Sequence, residues 1–333
     1  MSDYKTSIHA FLNAVLRAPE AAQDDLFADY VTEDCVWDIS HPINRLEGRE
    51  AVLQQFIRPL QRALTRVQRR DEIFIGGANR RDEGGTWVAS VTHYLGNFDA
   101  PFVGIQPSRH LMLLRSGEFY RVDDGKISKA RIIIDIPDMM RQAGLPTFEI
   151  SYGLETLFPG PATHDGVLPG GGPELGSKSL DVVEAMLRDL HKFDPQTFSS
   201  TNQTGVHGHW HEDMLWYGPA GIGSNYLWEG FVKDHREPFL KAFPDRKGGD
   251  HFCRIGDGNY AAISGWPSMR MTFSGDYLGI PADGRPLTLR VMDFYRCADA
   301  KIMENWVLLD YNDLAAQMGV DLIAKAQAQQ HAA

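Results

Sequence analysis

Hydrophobic positions follow a helical period at two places along the chain, once near the start and once past its middle. The apolar positions are Ile8, Phe11, Leu12, Val15 and Leu16 in the first stretch, and Val183, Met186, Leu187 and Leu190 in the second. Residues three and four apart share one face of a helix, so each stretch predicts a helix with one buried face. Each of two units therefore begins with an amphipathic helix.

A period of two replaces the helical period in the later part of each unit. It predicts strands over residues 72–75, 87–94, 111–122 and 127–136, and again over 251–255, 260–266, 268–273, 287–297 and 302–309. Helices precede strands in both units. This order predicts an α+β fold and argues against alternating units of a parallel sheet.

The last part of each unit contains the same short motifs in the same order. Residues 119–144 and 294–319 match without a gap at Phe-Tyr-Arg, at Lys-Ile, at Asp135 with Asp310, and at the closing Gln-x-Gly. In both copies a short turn, Asp124-Gly125 or Asp299-Ala300, separates two strands and predicts a hairpin. The chain therefore contains an internal repeat.

This repeat divides the chain into four parts. We expect repeat 1 over residues 1–145, a linker rich in Pro and Gly over 146–178, repeat 2 over 179–325, and a frayed tail over 326–333. Within the linker, a short ordered patch is expected near 148–157.

Alternation along the last strand assigns its residues to two faces. One face carries Ile302, Glu304, Trp306, Leu308 and Asp310, and the other carries Met303, Asn305, Val307 and Leu309. A single carboxylate, Asp310, thus ends a largely apolar face.

The hairpin resembles that of the SnoaL-like polyketide cyclases, a branch of the superfamily named after nuclear transport factor two. The matching residues are Lys301-Ile302, Glu304-x-Trp306, Asp310 and Gln317-Met318-Gly319, with Ala300 where the family has Gly. The resemblance implies two tandem cone-shaped repeats, each with helices followed by a curved antiparallel sheet. It also implies a pocket for a hydrophobic small molecule, no cofactor, and an acid–base role for Asp310 in an intramolecular aldol closure.

Physical chemistry supports a buried carboxylate as the base. Burial among aromatic residues raises the pKa of a carboxyl towards neutrality, where it can remove a proton from carbon beside a carbonyl. His235, on the apolar face of its helix, and His251, at the start of a strand, are the candidate proton donors or shuttles. The alternative is that Asp310 caps the following turn and that both histidines are structural.

Repeat 1 offers weaker counterparts of these residues. Asp135, His93 and Trp37 are the counterparts of the repeat 2 site, but Lys129 replaces the family Glu and Arg131 lies on the same face as Asp135. A neighbouring cation keeps a carboxylate ionised and makes it a weaker base. We therefore expect repeat 1 to be mainly structural.

Aromatic residues concentrate in repeat 2 and suit a planar ligand. The candidate ligand-binding residues are Trp216, Tyr226, Trp228, Trp266, Tyr295 and Trp306. Large aromatic side chains also fill protein cores, which is the alternative for each of them.

Composition narrows the class of protein. The 333 residues carry a net charge of −11, which disfavours a phosphate-binding surface, so no nucleic-acid partner is expected. No apolar run approaches the length of a membrane span.

Three separated cysteines suit reduced thiols in the cytoplasm. His207, His209 and His211 alternate as metal ligands can, but they lie in a Gly-rich stretch, and we expect no metal.

Three functions remain open. The leading hypothesis is a cofactor-free enzyme that cyclises or isomerises a hydrophobic carbonyl compound, using Asp310. The second is a non-catalytic binding or interaction protein of the same fold. The third, epoxide or ester hydrolysis, needs a water held by Asp with Asn or Arg, and Asn305 is predicted on the face opposite Asp310. In each case we expect the repeats to pack as an intramolecular pseudo-dimer, with a homo-oligomer left open.

Overall fold

The structure is a computed structural model that describes the backbone of residues 4–332 and the side chains of residues 4–330. Repeat 1 contains α1 (Tyr4–Val15), α2 (Glu20–Tyr30), β1 (Val31–Ile39), β2 (Arg45–Glu47), α3 (Arg49–Val52), α4 (Arg58–Ala63), β3 (Leu64–Ala78), β4 (Thr86–Phe98), β5 (Leu111–Asp123), β6 (Lys126–Ile134) and α5 (Ile136–Gln142). A π-helical turn, Leu53–Ile57, joins α3 to α4.

Among the described residues, repeat 2 has the same order of strands, with one helix instead of two before its first strand and an additional helix at its end. It contains α6 (Gly172–Leu190), β7 (Trp210–Tyr217), β8 (Asn225–Tyr226), α7 (Leu227–Phe231), α8 (Glu237–Ala242), β9 (Cys253–Asp257), β10 (Tyr260–Thr272), β11 (Pro286–Ala298), β12 (Lys301–Leu309), α9 (Tyr311–Gln317) and α10 (Leu322–Ala332). A second π-helical turn, Val232–Arg236, joins α7 to α8. The repeat inferred from the sequence is therefore a repeat of structure.

Each repeat forms one six-stranded sheet with the same topology. The strand orders are β2-β1-β6-β5-β4-β3 and β8-β7-β12-β11-β10-β9. The sheets are mixed, because β1 runs parallel to β6 and β7 runs parallel to β12, whereas the other pairs are antiparallel. This confirms the α+β prediction and corrects the expectation of wholly antiparallel sheets. Between β1 and β6, and between β7 and β12, the chain forms a short strand, two helices and three further strands, so the last strand returns beside the first in the same direction.

The predicted hairpin turns are present in both copies. Asp124 and Gly125 have φ angles of 48° and 81°, and Asp299 and Ala300 have φ angles of 49° and 58°. Positive φ at both central residues is the geometry of a two-residue turn that matches strand twist. Ala300 occupies a position that Gly adopts more easily.

Both faces of each sheet are buried. Helices cover one face and form a core in each repeat, with the predicted stripe of α1 fully enclosed. The opposite faces of the two sheets form a third buried cluster, which includes Ile75 and Trp87 from repeat 1 and Phe294, Trp306 and Leu308 from repeat 2. The alternation along β12 therefore separates residues that contact repeat 2 helices from residues that contact repeat 1.

The segment between the repeats packs against both repeats. Its backbone pairs with repeat 1, where Phe74 N donates to Gly166 O at 2.9 Å, and with repeat 2, where Leu154 N donates to Ser224 O at 3.0 Å. Helix α6 begins at Gly172, before the predicted boundary at 179. Burial of short apolar pieces such as Phe158 against the repeats orders a segment whose composition predicted a linker.

The tail differs from the prediction of fraying over its described part. Helix α10 docks on repeat 1, where Ala326 joins the core and Gln327 Nε2 donates to Gly104 O at 3.0 Å. Residue 333 lies outside the described residues. No helix in the described part of the chain is long and apolar enough to cross a membrane.

Candidate active site in the second repeat

A cavity of about 110 Å³ lies between the helices and the sheet of repeat 2. Its apolar lining comes from α6 through Met186, from α7 and α8 through Phe231 and Phe239, and from the sheet through Val291 and Val307. The polar side chains that reach it are His191, His235, Arg236, Arg246, His251, Ser268, Asp293, Tyr295 and Asn305. A mostly apolar cavity with a few polar groups is typical of a small-molecule site.

Asp293 is the one acidic residue among the described residues that line this cavity. It lies on β11, two residues before Tyr295, and Tyr295 pairs with Asn305 on β12. Burial raises the pKa of Asp293 to about 7, although interactions with the Asn305 and Tyr295 side chains favour its ionised form. A carboxyl with this pKa can both accept and return a proton near neutral pH.

Two neutral histidines line the same cavity. Burial, with nearby arginines, lowers the pKa of His235 and of His251 to about 3. His251 Nδ1 accepts a hydrogen bond of 3.1 Å from Arg254 Nε, which leaves the proton on Nε2 and makes that nitrogen a donor. His235 stacks on Trp216 with 4.6 Å between ring centroids, and its buried Nδ1 has no hydrogen-bond partner in the described structure.

The equivalent space in repeat 1 is filled. The gapless repeat places Glu118 where repeat 2 has Asp293, and Glu118 Oε2 lies 2.7 Å from Arg69 Nη1 and 2.8 Å from Tyr120 Oη. Tyr94 also donates to this carboxylate. Only about 10 Å³ of space remains beside Arg69 and Tyr94. A fully paired buried carboxylate with no adjoining cavity has no access to a ligand.

Comparison with known proteins identifies the family of both repeats. The family model described as SnoaL-like polyketide cyclase matches residues 9–143 and 189–318. The chain belongs to this family. No curated protein sequence matches the chain.

Solved structures similar to the chain each align with part of it. IdmH of Streptomyces antibioticus, a candidate polyketide cyclase, is 17% identical with a TM-score of 0.35, over 42% of this chain and 99% of that one. A candidate isomerase from Rhodopseudomonas palustris is 19% identical with a TM-score of 0.33, over 43% and 98%. An NTF2-like protein from Burkholderia thailandensis is 19% identical with a TM-score of 0.33, over 44% and 100%.

Asp310 lies outside the cavity of the second SnoaL-like repeat. It is the N-cap of α9, where its Oδ1 accepts from Asp313 N at 3.1 Å. Its Oδ2 lies 2.9 Å from Arg290 Nη1 and accepts from His41 N of repeat 1 at 3.1 Å. Burial raises the pKa of Asp310 to about 6, opposed by Arg290. This placement corrects the expectation that Asp310 faces the ligand, because its face of β12 is covered by repeat 1.

Asp135 has the same role in the first SnoaL-like repeat. It is the N-cap of α5, and its Oδ2 accepts from Ala220 N of repeat 2 at 3.0 Å. Its cationic neighbour is Arg115, with Nε at 3.7 Å, rather than the Arg131 suggested by the sequence. The Asp of each hairpin motif therefore caps a helix of its own repeat and accepts a hydrogen bond from a loop of the other repeat.

The remaining predicted residues divide between cavity, core and interface. Trp216, Tyr295, His235 and His251 line the cavity. Tyr226 is 57% exposed, and Trp228 packs on Trp210 outside the lining. Trp266 lies under Arg290, and Trp306 donates to Pro159 O at 2.7 Å within the contact between repeats. The aromatic residues of repeat 2 thus lie in the cavity, in the core or in the contact between repeats, and composition alone does not predict which.

Two counterparts in the first SnoaL-like repeat lie apart from each other. Trp37 is in the core beside the small residual space, and its Nε1 has no hydrogen-bond partner in the described part of the chain. His93 lies in a groove with Arg115 and Phe158, and its Nδ1 is 3.4 Å from Glu72 Oε1. The structure does not bring Trp37, His93 and Asp135 into one site.

The three alternating histidines are not assembled into one group. His209 Nε2 lies 2.9 Å from Asp189 Oδ2, whereas His211 Nδ1 accepts from Asp213 N at 3.1 Å. His211, Glu212 and Asp213 bring ligand-type atoms close together at the surface, away from the cavity lining.

Asp293 and Asn305 were missed as site residues, although a signal for Asp293 exists in the sequence. Leu287, Leu289, Val291, Asp293 and Tyr295 share one face of β11 by alternation, so a carboxylate interrupts an apolar row. Alternation predicts the face of β12 on which Asn305 lies, but it does not predict that this face lines the cavity.

Proposed function

We propose that the second SnoaL-like repeat is a cofactor-free proton-transfer enzyme that cyclises or isomerises a hydrophobic carbonyl compound, with Asp293 as the base. The observation that carries the proposal is a single carboxyl in an apolar cavity, with its pKa raised to about 7. Family membership supports the reaction class. The proposal moves the acid–base role from Asp310 to Asp293.

The reaction begins with transfer of a proton from carbon to the Asp293 carboxylate. The C–H electron pair forms an enolate, whose oxygen needs a hydrogen-bond donor. His251 Nε2 is one donor at this cavity, and the Tyr295 hydroxyl, which interacts with Asp293, is another. In isomerisation the carboxyl returns the proton to a different carbon. In cyclisation the enolate carbon bonds to a second carbonyl carbon, and the new alkoxide takes the proton.

The test uses 2-tetralone, a hydrophobic ketone with acidic protons beside its carbonyl. Proton NMR in D₂O measures the rate at which these protons exchange. Asp293→Asn is expected to reduce the protein-catalysed rate by 100-fold or more, since positioned general bases contribute about 10²–10⁴-fold.

Asp310→Asn is the matched control, because it removes a buried carboxylate of similar pKa that has no access to the cavity. Its exchange rate is expected to stay within a few-fold of wild type once circular dichroism shows that it is folded. A large loss in Asp310→Asn with full activity in Asp293→Asn would reject the assignment of the base.

A second candidate function is hydrolysis of an epoxide or ester by a water held in the same cavity. It is favoured by Asp293, Asn305 and Tyr295 lying together there, since an Asp with an Asn is the pair such a water needs. Asn305 lies on the face of β12 opposite Asp310, but it lines the same cavity as Asp293. Conversion of styrene oxide to its diol with ¹⁸O from water, without exchange of 2-tetralone, would favour this candidate.

We also infer that the two repeats form an intramolecular pseudo-dimer. Support comes from the buried cluster shared by both sheets and from the reciprocal bonds of Asp135 to Ala220 N and of Asp310 to His41 N. Since repeat 1 has a filled cone, its part in this arrangement is to cover the outer face of the repeat 2 sheet.

A further inference from the structure

Arginines Arg236 and Arg246 line the repeat 2 cavity without a carboxylate partner. Arg236 is 3% exposed, and it donates from Nε to Phe198 O at 3.1 Å and from Nη2 to Ser200 Oγ at 2.7 Å. Both acceptors are uncharged, and its Nη1 has no hydrogen-bond partner in the described structure. The guanidinium also lies 5.8 Å from the ring centroid of Trp228, but no carboxylate contacts it, so its charge is buried without an anionic partner among the described residues.

The other buried arginines of the described chain are all paired with carboxylates. Arg58 contacts Asp24, Arg69 contacts Asp71 and Glu118, Arg115 contacts Asp138, and Arg296 contacts Glu304. A buried charge is costly unless it is paired. Arg236 departs from the rule that the rest of this protein follows, and it does so at a cavity.

Arg246 adds a second positive charge to the same lining. Its guanidinium lies 5.4 Å from the ring centroid of Phe193, and its side chain makes no ion pair or hydrogen bond among the described residues. Burial lowers the pKa of Arg246 to about 10, and burial together with repulsion from Arg246 lowers the pKa of Arg236 to about 9. Both stay cationic at neutral pH.

Arg246 lies towards the more exposed side of the cavity, whereas Arg236 lies deeper. His191, at the end of α6, is exposed, and Arg246 is half-buried beside the Gly248–Gly249 turn. Arg254 also acts on His191 but is neutralised by Glu184 at 3.1 Å. Arg236 lies in the π-helical turn and Arg246 follows α8, whereas Asp293 lies on β11, so the arginines and the proposed base reach the cavity from different elements.

We propose that the repeat 2 cavity takes a hydrophobic ligand that carries a carboxylate, bound by Arg236 and Arg246. A guanidinium pairs with a carboxylate through parallel hydrogen bonds, and this pairing supplies the anion that the chain itself lacks here. The inference rests on the proposed function in one respect: the ligand's carbonyl end would lie at Asp293 and its anionic end at the arginines.

The test compares two probes of nearly the same shape, 2-naphthoate and its neutral methyl ester. Their dissociation constants are measured by isothermal titration calorimetry with the full chain. Wild type is expected to bind 2-naphthoate at least tenfold more tightly than the ester. Arg246→Gln is expected to weaken 2-naphthoate binding about tenfold and to leave the ester unchanged.

Arg188→Gln is the matched control, because Arg188 is exposed on α6 and outside the cavity. It is expected to bind both probes as wild type does. Arg236→Gln should repeat the effect of Arg246→Gln, after circular dichroism shows that loss of its bonds to Phe198 and Ser200 leaves the fold intact. Equal affinities of wild type for the two probes, or binding of neither, would overturn the proposal, as would an equal loss for both probes in Arg246→Gln.

The Asp293→Asn variant separates this proposal from the proposed function. It is expected to bind 2-naphthoate at least as tightly as wild type while losing 2-tetralone exchange. Carboxylate-selective binding without any exchange in wild type would contradict the enzyme and leave the anion site standing. Exchange by wild type with no preference for 2-naphthoate would contradict the anion site alone.

Discussion

At the residue scale, Asp310 is buried and Asp293 is half-buried, and burial raises the pKa of both carboxyls, to about 7 for Asp293 and about 6 for Asp310. Their surroundings give them different uses. Asp310 accepts two backbone N–H bonds and contacts Arg290, so its oxygens are committed to structure. Asp293 interacts with Asn305 and Tyr295 beside a cavity and keeps access to a ligand.

Asp293 should make the protein less stable as pH rises from about 4 to about 7. Its folded-state pKa is raised, so in this window the folded protein keeps a proton that the unfolded chain has lost. Asn cannot ionise, so the stability of Asp293→Asn relative to wild type should rise by about 2 kcal/mol between pH 5 and pH 8. Urea unfolding at pH 5 and pH 8 measures this difference.

The control for this prediction is Asp245→Asn, which changes an exposed carboxyl whose pKa is lowered by bonds to Thr272. Asp245→Asn should give no gain of stability on raising the pH. If Asp293→Asn shows the same stability difference from wild type at both pH values, the Asp293 carboxyl is not desolvated.

At the element scale, the β11–β12 hairpin places Ala300 at a φ of 58°. An L residue with a side chain is strained there, whereas Gly125 occupies the same turn position in repeat 1 without strain. Ala300→Gly is therefore expected to stabilise the protein by about 1 kcal/mol, measured by urea denaturation. Gly125→Ala is the mirror-image control and should destabilise it by a similar amount. A loss of stability in Ala300→Gly would show that the turn has another geometry.

Sequence patterns predicted the helices and strands better than they predicted which residues each element contacts. Periodicity found the α1 stripe, and the repeat found both hairpins, because these depend on neighbours within one element. From Glu304 onwards, alternation also predicted correctly which residues of β12 share a face. It could not tell which face meets the cavity, since Trp306 and Val307 are equally apolar and the covering element is distant in sequence.

The same limit explains the linker, the tail and the site. The order of residues 146–171 and of α10 comes from contacts with distant parts of the chain, such as Gly166 with Phe74 and Ala326 with the repeat 1 core. The family motif led to Asp310, while the interrupted apolar row that contains Asp293 was overlooked. Local pattern predicts an element, but packing decides the environment of its side chains.

At the scale of the whole molecule, each repeat contributes a carboxylate to the other. Asp135 holds the Ala220 amide, and Asp310 holds the His41 amide. The two bonds join the start of a short helix in one repeat to a loop in the other. The repeats should therefore unfold together in a single cooperative transition.

Asp310→Ala is expected to destabilise the whole chain by about 3 kcal/mol, because it removes a helix cap and leaves Arg290 without its nearest buried carboxylate. Asp310→Asn should cost less, since its side-chain oxygen can still accept a backbone N–H. Urea unfolding followed by circular dichroism measures both. Two separate transitions in wild type, or no loss in Asp310→Ala, would contradict mutual support between the repeats.

The central claim is that a single carboxyl in the repeat 2 cavity, Asp293, performs the proton transfer. The most direct test is the pH dependence of 2-tetralone exchange by wild type and by Asp293→Asn. The wild-type rate should rise with pH through a midpoint near 7, as the carboxyl ionises, while the variant stays at the uncatalysed rate. A variant that keeps the wild-type rate and the same midpoint would contradict the claim.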